Sequence, residues 1–266
     1  MCLIVFAWQK HPRLPLLLAA NRDEFHERPA APAAYWNDTP QVLAGRDLQA
    51  GGTWLGISRS GRFAAITNVR DPAAHARSAP RSRGELTHDF LAGTTTPSDY
   101  LLSVANRMNE YQGFNLLVGD RESLWYLNGS AAEKSQPMAL APGIYGLSNA
   151  ALDVPWPKVN LARNRLLSAL DDSTGERKAP GHSELRSCLA DRSLADQHAL
   201  DEENLGGDMA RQLSAQFIVT PHYGTRCCTT LRSHLTGELE FEEQRFDSAG
   251  NLAGTEAFKL DTGGER

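Results

Sequence analysis

The amino-acid sequence predicts an α+β fold in four layers, in which two antiparallel sheets lie face to face and helices cover both outer faces. The predicted elements occur in blocks of strands, then helices, then strands again. A parallel sheet would instead need strands and helices to alternate one by one. The chain has 266 residues, and 41% of them are hydrophobic, which is enough for a substantial core. We therefore expect a single domain over residues 1–266.

The first 70 residues are predicted to form mainly strands. Apolar runs at 3–8 and 16–21 flank a Lys-His-Pro-Arg turn, and this pattern predicts a hairpin. A second hairpin is predicted from residues 53–58 and 62–68. Residues 22–41 are rich in Pro and Ala and show no clear periodicity, so we expect a long loop there.

The middle of the chain is predicted to be helical. The segment 82–85 reads Ser-Arg-Gly-Glu, a capping-box pattern that predicts a helix through residue 91. Pro97 follows Thr96, and proline is well tolerated in the first turn of a helix. Further helices are predicted at 159–170 and 184–194, with a polar loop at 171–182 between them. The remaining strands are predicted at 114–119, 123–127, 144–148, 216–220, 226–232, 239–246 and 256–260.

Composition argues against several classes of protein. The net charge of −5 and the pI of about 5.9 show no basic footprint for nucleic acid. The four cysteines contain no C-x-x-C spacing, and two of them are adjacent, so neither a zinc site nor a disulfide framework is expected. The apolar runs near the start are too short to span a membrane. We expect a cytoplasmic protein.

Cys2 is the most informative residue. If Met1 is removed, Cys2 carries a thiol nucleophile and a free α-amine on one carbon. An α-amine has an ordinary pKa of about 7.7–8.0, so it can act as a base near neutral pH. The alternative is that a small residue is simply tolerated at this position.

Short polar blocks stand at the ends of several predicted strands and carry a family resemblance. The matching segments are Met1-Cys2, Asn-Arg-Asp-Glu at 21–24, and the segments 51–56, 67–70, 115–120, 145–149 and 217–225. Together they resemble the NRDE family, whose eukaryotic members include transport and Golgi organisation two. The resemblance implies the fold of N-terminal-nucleophile (Ntn) hydrolases, such as bile salt hydrolases and penicillin V acylase.

The resemblance also implies site residues. Carried over by motif, they are the nucleophile Cys2, the pair Arg22 and Asp23, the two amides Asn68 and Asn149, and the late arginine Arg226. One departure stands out, because the hydrolases separate their Arg and Asp by two residues, whereas here the two adjoin. If the strand continues through the block, Asp23 and Glu24 lie on opposite faces. The sequence leaves open which of these carboxylates faces Cys2.

The chemistry of these residues is coherent. The Cys2 sulfur would attack a carbonyl carbon while its own amine moves the proton. Asp23 or Glu24 would orient that amine. Arg22 and Arg226 are expected to lower the thiol pKa.

The amide side chains would serve the other half of the reaction. Asn68, and with it Asn149, would face the developing oxyanion. The alternative is that Asn68 and Asn149 are turn residues at strand ends with no catalytic role.

Two functions from different classes follow. The favoured one is a cysteine amidohydrolase acting on a small linear amide. The alternative is a protein that handles haem, a lipid or acyl-CoA on the same fold without turnover, so the partner is a small amide or a hydrophobic ligand. No cofactor and no metal site are predicted. If haem is cargo, Cys2 or a histidine could bind its iron, with His11 on the first hairpin as one candidate. The oligomeric state is left open.

Overall fold

The computed structural model describes residues 2–69, 80–130, 136–171, 179–196 and 211–263. Met1 and Arg70 lie outside these ranges, as does most of the loop predicted at 171–182. Thirteen strands and four helices are described. In chain order they are β1 Cys2–His11, β2 Leu14–Phe25, β3 Ala30–Tyr35, β4 Val42–Asp47, β5 Leu55–Ser58, β6 Phe63–Asn68, α1 Gly84–Ala92, α2 Pro97–Ala105, β7 Phe114–Gly119, β8 Leu124–Asn128, β9 Met138–Ala139, β10 Gly143–Leu147, α3 Pro157–Asp171, α4 His182–Ser187, β11 Tyr223–Ser233, β12 Glu238–Phe246 and β13 Leu252–Asp261.

The strands form two sheets in which every neighbouring pair is antiparallel. The six-stranded sheet has the order β10-β1-β2-β11-β12-β13, and the seven-stranded sheet has the order β3-β4-β5-β6-β7-β8-β9. Helices α3 and α4 pack on the six-stranded sheet, and α1 and α2 pack on the seven-stranded one. The predicted four-layer α+β sandwich is therefore confirmed.

Strand β1 shows why its sequence reads as an unbroken apolar run. Ile4 and Phe6 point into the core between the two sheets, whereas Leu3 and Val5 point into the core beneath α3 and α4. A strand that is buried on both faces needs no polar alternation. Phe6 is fully buried, and its truncation to Ala is expected to cost about 3–5 kcal/mol. Cys2 begins this strand, so the core of the protein anchors it.

Several element boundaries differ from the sequence prediction. Residues 22–41 are not a long loop, because β2 continues through the polar block to Phe25 and β3 occupies Ala30–Tyr35. Strand β4 was not predicted, and it pairs with β3 and β5 in the seven-stranded sheet. Residues 216–220 form no named strand and contribute only an isolated bridge from Val219 to Gly224. Helix α4 ends at Ser187 rather than near residue 194.

The predicted capping box at 82–85 is also wrong. Helix α1 begins at Gly84, and its N-cap residue Arg83 makes no side-chain cap. The carboxylate of Glu85 turns away and accepts from the hydroxyl of Tyr111 at 2.5 Å. Helix α2 begins at Pro97, the residue expected in its first turn, and Oγ1 of Thr96 caps it by accepting from the N–H of Asp99 at 3.2 Å.

Within the described residues, no helix is both long enough and apolar enough to cross a membrane.

Candidate active site around Cys2

A cleft of about 820 Å³ opens beside the start of β1. Its walls come from the ends of β1 and β2, from the segment 45–54, and from the start of α1. Five of the six predicted residues line the cleft, namely Cys2, Arg22, Asp23, Asn68 and Arg226, and the neighbouring carboxylate of Glu24 lines it as well. The sixth, Asn149, reaches Cys2 from the loop after β10. A volume of this size suits a small-molecule ligand.

A row of side chains crosses the floor of the cleft. Cys2 pairs with Arg22 on β2, Arg22 pairs with Cys227 on β11, and Cys227 pairs with Arg245 on β12. Residues directly opposite each other in an antiparallel sheet point to the same face. The thiol of Cys2 therefore has the guanidinium of Arg22 as its lateral neighbour.

The two neighbouring carboxylates, Asp23 and Glu24, differ in their relation to Cys2. Glu24 shares the face of Arg22 and lies 3.6 Å from it, between its Oε2 and the arginine Nη2. Asp23 is buried, and its Oδ1 accepts from the hydroxyl of Thr225 at 2.7 Å. The charge of Asp23, and not that of Glu24, is among the effects on the Cys2 pKa. Burial raises the pKa of the Asp23 carboxyl, and the nearby Lys158 partly offsets that rise.

The amide of Asn149 connects Cys2 to the opposite sheet. The backbone nitrogen of Cys2 donates to Oδ1 of Asn149 at 3.2 Å. Nδ2 of Asn149 donates to the carbonyl of Asn68 at 2.9 Å. The hydroxyl of Ser148 donates to the carbonyl of Cys2 at 2.9 Å. Both ends of the Asn149 amide are thus engaged, whereas the side chain of Asn68 is exposed in the cleft.

A buried polar network behind these residues holds the loop after β10. Thr67 donates to the carbonyl of Ser148 at 2.6 Å, and Nδ2 of Asn115 donates to the carbonyl of Ala150 at 2.6 Å. Oδ1 of Asn115 in turn accepts from the hydroxyl of Tyr126 at 2.6 Å. Because a buried amide must be satisfied, this network fixes the loop geometry. Asn115 lay inside a family segment in the sequence, but no role was predicted for it.

The predicted lowering of the Cys2 pKa is wrong for this structure. Burial is the largest effect and raises the thiol pKa above its ordinary value, and the Asp23 charge raises it further. The positive charge of the amino terminus, the guanidinium of Arg22 and a hydrogen bond from the Asp23 backbone act in the opposite direction without reversing the shift. The reason is physical, because burial costs a thiolate its hydration and the nearby positive charges do not make up for that loss.

Arg226 lines the cleft wall, but its guanidinium binds backbone carbonyls rather than a thiolate. The ladder between β2 and β11 slips between Thr225 and Cys227, so Arg226 is the extra residue of a β-bulge. Its Nη1 donates to the carbonyls of Phe25 and His26, both at 3.0 Å. The late arginine thus fastens the turn that follows β2.

Arg83 is a cleft residue that the sequence interpretation missed. It lies at the start of α1, lines the cleft, and donates from Nη1 to the carbonyl of Gly113 at 3.2 Å. Burial lowers the pKa of Arg83, and the Cys2 thiol raises it, so the two groups lie within electrostatic reach. Gly52 lets this helix start approach, because a Cβ there would overlap the backbone of Gly84. A cation at a helix N-terminus interacts unfavourably with the helix dipole. This unfavourable placement was the feature of the sequence that could have identified Arg83.

Two other groups bear on cofactors. His11 is buried in the first hairpin, and its Nδ1 accepts from the N–H of Arg13 at 3.2 Å, so it does not reach the cleft as a haem ligand. In the described part of the chain, one cluster has metal-ligand spacing: His234, Glu238 and Glu240. It is not part of the cleft lining. Arg232 already donates to both carboxylate oxygens of Glu240 at 2.8 Å, which disfavours a metal ion there.

The two facing antiparallel sheets and the helices that cover them define the class of fold, an α+β sandwich. Among solved structures, the chain is similar to a Caenorhabditis elegans N-acylethanolamine-hydrolyzing acid amidase ortholog, with a TM-score of 0.52 and 10% identity over 86% of this chain and 92% of that one. It also matches the C2A mutant of conjugated bile acid hydrolase from Clostridium perfringens, with a TM-score of 0.46 and 12% identity over 100% of this chain and 95% of that one.

The chain belongs to the Transport and Golgi organisation 2 family, whose sequence model matches residues 1–248. It is 35% identical to the Transport and Golgi organization protein 2 homolog of Bos taurus over 261 residues, which is 92% of each chain. The resemblance to the NRDE family is thereby confirmed. At 10% identity, the likeness to the amidase ortholog supports the fold alone.

Proposed function

We propose that this protein is an N-terminal cysteine amidohydrolase that acts on a small linear amide. The observation that carries the proposal is the bond from the Cys2 nitrogen to Oδ1 of Asn149, made beside a cleft that holds Arg22 and Asp23. Once Met1 is removed, this nitrogen is the α-amine. Asn149 would then hold the base next to its own nucleophile.

The reaction follows from that placement. The α-amine accepts the thiol proton as sulfur attacks the amide carbon, and the exposed side chain of Asn68 donates to the developing oxyanion. The ammonium then passes the proton to the leaving amine, which departs and leaves a thioester on Cys2. Water attacks the thioester, the amine accepts a proton from that water, and the carboxylic acid is released as the thiol is restored. Asp23 favours the protonated amine in both halves.

Asn149 takes a different role here from the one expected. Its Nδ2 is engaged with the Asn68 carbonyl, so in this geometry the oxyanion donor is Asn68 and the amine holder is Asn149. Arg22 supports the thiolate from the neighbouring strand. Arg226 supports the wall of the cleft through its backbone bonds.

The raised Cys2 pKa favours a second candidate, the carriage of haem, a lipid or acyl-CoA without turnover. A thiol with a raised pKa is a weaker nucleophile near neutral pH but can still line a binding site. The cleft volume of about 820 Å³ is compatible with either role.

One experiment separates the two candidates. Purified protein is incubated with a panel of N-acyl amides, and intact mass is followed for an acyl adduct on Cys2 and for released amine. The hydrolase proposal expects both in the parent protein and neither in Cys2→Ala. Cys188→Ala is the matched control, because Cys188 is buried beneath the helices and should leave turnover unchanged. Binding of a panel member that survives Cys2→Ala, with no adduct in the parent protein, would support carriage instead.

A further inference from the structure

The cleft beside Cys2 is strongly positive, although the chain as a whole carries a net charge of −5. Among the described residues that line it, seven are arginines and four are acidic. The arginines are Arg22, Arg28, Arg46, Arg81, Arg83, Arg226 and Arg245, and the acidic residues are Asp23, Glu24, Asp47 and Glu243. Burial raises the pKa of two of those carboxyls, Asp23 and Glu243.

Three of these arginines are already compensated. Arg28 donates to Oδ2 of Asp47 at 2.7 Å, and Arg46 is paired with Asp38 at 2.7 Å. Arg81 forms ion pairs with two carboxylates, those of Glu85 and Glu110. These charges are balanced without any ligand.

Two further arginines of the cleft, Arg22 and Arg83, are less fully paired. Arg22 is 9% exposed, and its Nη1 is buried with no hydrogen-bond partner in the described part of the chain. Its Nη2 lies 3.6 Å from Glu24 and 3.8 Å from Asp47, beyond hydrogen-bond distance. Arg83 forms no ion pair within the described residues, and its hydrogen-bond acceptor is the neutral carbonyl of Gly113. A buried guanidinium N–H without an acceptor is costly unless something else supplies one.

We propose that the cleft binds an oxyanion of the substrate, a carboxylate or a phosphate, between Arg22 and Arg83. A guanidinium donates two parallel hydrogen bonds to such a group, and the start of α1 adds the positive end of a helix dipole on the Arg83 side. Arg22 is paired directly with Cys2, and the Cys2 thiol acts on the Arg83 pKa, so the anion would lie next to the reacting bond. The inference rests on the proposed amidohydrolase function and narrows its substrate to amides that carry an acidic group.

The test measures binding rather than turnover. Full-length Cys2→Ser protein is titrated by calorimetry at fixed ionic strength with two matched pairs of probes. One pair is N-decanoylglycine and its N-methylamide, and the other is N-decanoylphosphoethanolamine and N-decanoylethanolamine. The anionic member of at least one pair should bind about tenfold tighter or more, since hydrogen bonds to charged groups are worth that much. The pair with the larger ratio identifies the anion as carboxylate or phosphate.

Three variants assign the preference to Arg83. Arg83→Met should abolish the preference for the anion, and Arg83→Lys should retain part of it because the charge remains. Arg81→Met is the matched control, since Arg81 lies on the same wall but already has two carboxylate partners, and it should keep the preference. Thermal unfolding of each variant confirms that it is folded; if Arg83→Met is not, the comparison of Arg83→Lys with the parent carries the test.

Equal affinity for the charged and neutral probes would overturn the proposal, and so would an anion preference that Arg83→Met leaves unchanged. The hydrolase proposal fails differently. An anion preference in a protein that never releases amine would leave the anion site standing and refute turnover. Turnover of neutral and anionic amides at the same rate would leave the hydrolase standing and refute the anion site.

Discussion

The backbone nitrogen of Cys2 donates to the side chain of Asn149 at 3.2 Å, although 147 positions separate the two residues. The first residues of a chain usually fray unless something ties them down. Here the Asn149 bond and the bond from Ser148 to the Cys2 carbonyl hold both sides of the first residue of β1. Such a fixed terminus costs conformational entropy and brings no additional core. It is the arrangement that an N-terminal nucleophile requires.

The first prediction concerns processing. Turnover should require removal of Met1, because the mechanism uses the α-amine of Cys2 as its base. Intact-mass analysis of the active protein should therefore give the mass of a chain that begins at Cys2. Retention of Met1 throughout an active preparation would rule out the proposed base.

A matched variant tests the same point from the other side. Insertion of one Ser between Met1 and Cys2 keeps every side chain of the cleft and leaves Cys2 with an ordinary amide nitrogen. We expect turnover to fall to background while thermal stability stays close to that of the parent. Unchanged turnover in this variant would show that the amine is not needed.

The second prediction is that Cys2 reacts first with alkylating agents. Cys2 is partly exposed in the cleft, whereas Cys188, Cys227 and Cys228 are all buried. Burial also raises the pKa of Cys188 to about 11 and that of Cys228 to about 12. Peptide mapping after limited treatment with iodoacetamide at pH 8 should locate the label on Cys2. Labelling of Cys188 first would contradict the exposed position of Cys2.

The third prediction separates the two amides. Asn68→Ala should lower kcat by about 10²–10³ with little change in KM or stability, because an exposed oxyanion donor acts in the transition state. Asn149→Ala should lower both kcat and stability, since it breaks the bonds to Cys2 and to the Asn68 carbonyl. Steady-state kinetics and chemical unfolding of the two variants provide the comparison. Equal losses of stability would argue against distinct roles.

The sequence predicted the layers and the place of Cys2 at the start of a buried strand, because these depend on local patterns. The run behind Cys2 and the Asn68 strand end are visible in hydrophobic periodicity. Arg226 was misjudged because a β-bulge is one inserted residue, which alternation along a single strand does not reveal. Asn149 depends on the pairing of β10 with β1, a long-range contact without a local signal. Arg83 was missed because it lies within the segment predicted to be a capping box, which the structure does not form.

The fourth prediction concerns Arg226. Its replacement by Ala removes charged hydrogen bonds to the turn after β2, so stability should fall by about 1–3 kcal/mol. The pH profile of Cys2 alkylation should barely move, because the guanidinium holds backbone. Arg22→Met is the comparison, and it should shift that profile to higher pH, since Arg22 lowers the Cys2 pKa. A larger shift from Arg226→Ala than from Arg22→Met would restore the role first expected for Arg226.

The last prediction sets function against stability at Asp23. Burial raises the pKa of this carboxyl, so the folded state holds the proton more tightly than the unfolded chain does. This tighter proton binding contributes to the stability of the folded state. The contribution is fully present below the Asp23 pKa of the unfolded chain, about 4, and is lost as pH rises through the Asp23 pKa of the folded protein. Asp23→Asn should therefore stabilise the protein at pH 7 by about 0.5–2 kcal/mol, with a smaller gain at pH 4. The same variant should lower turnover by about 10²-fold or more, because the amine loses its carboxylate.

Asp191→Asn provides the opposite sign. A backbone hydrogen bond from Ser193 lowers the pKa of Asp191, and Arg165 contributes to the same shift, so the stability from this carboxylate is present at neutral pH and lost as pH falls through its folded pKa. Its replacement should destabilise the protein at pH 7 and matter little at low pH. Urea unfolding of both variants between pH 4 and pH 8 measures the two slopes. If Asp23→Asn also destabilises the protein at pH 7, the contacts of the buried carboxylate stabilise the fold. The idea that Asp23 lowers stability in return for catalysis would then be wrong.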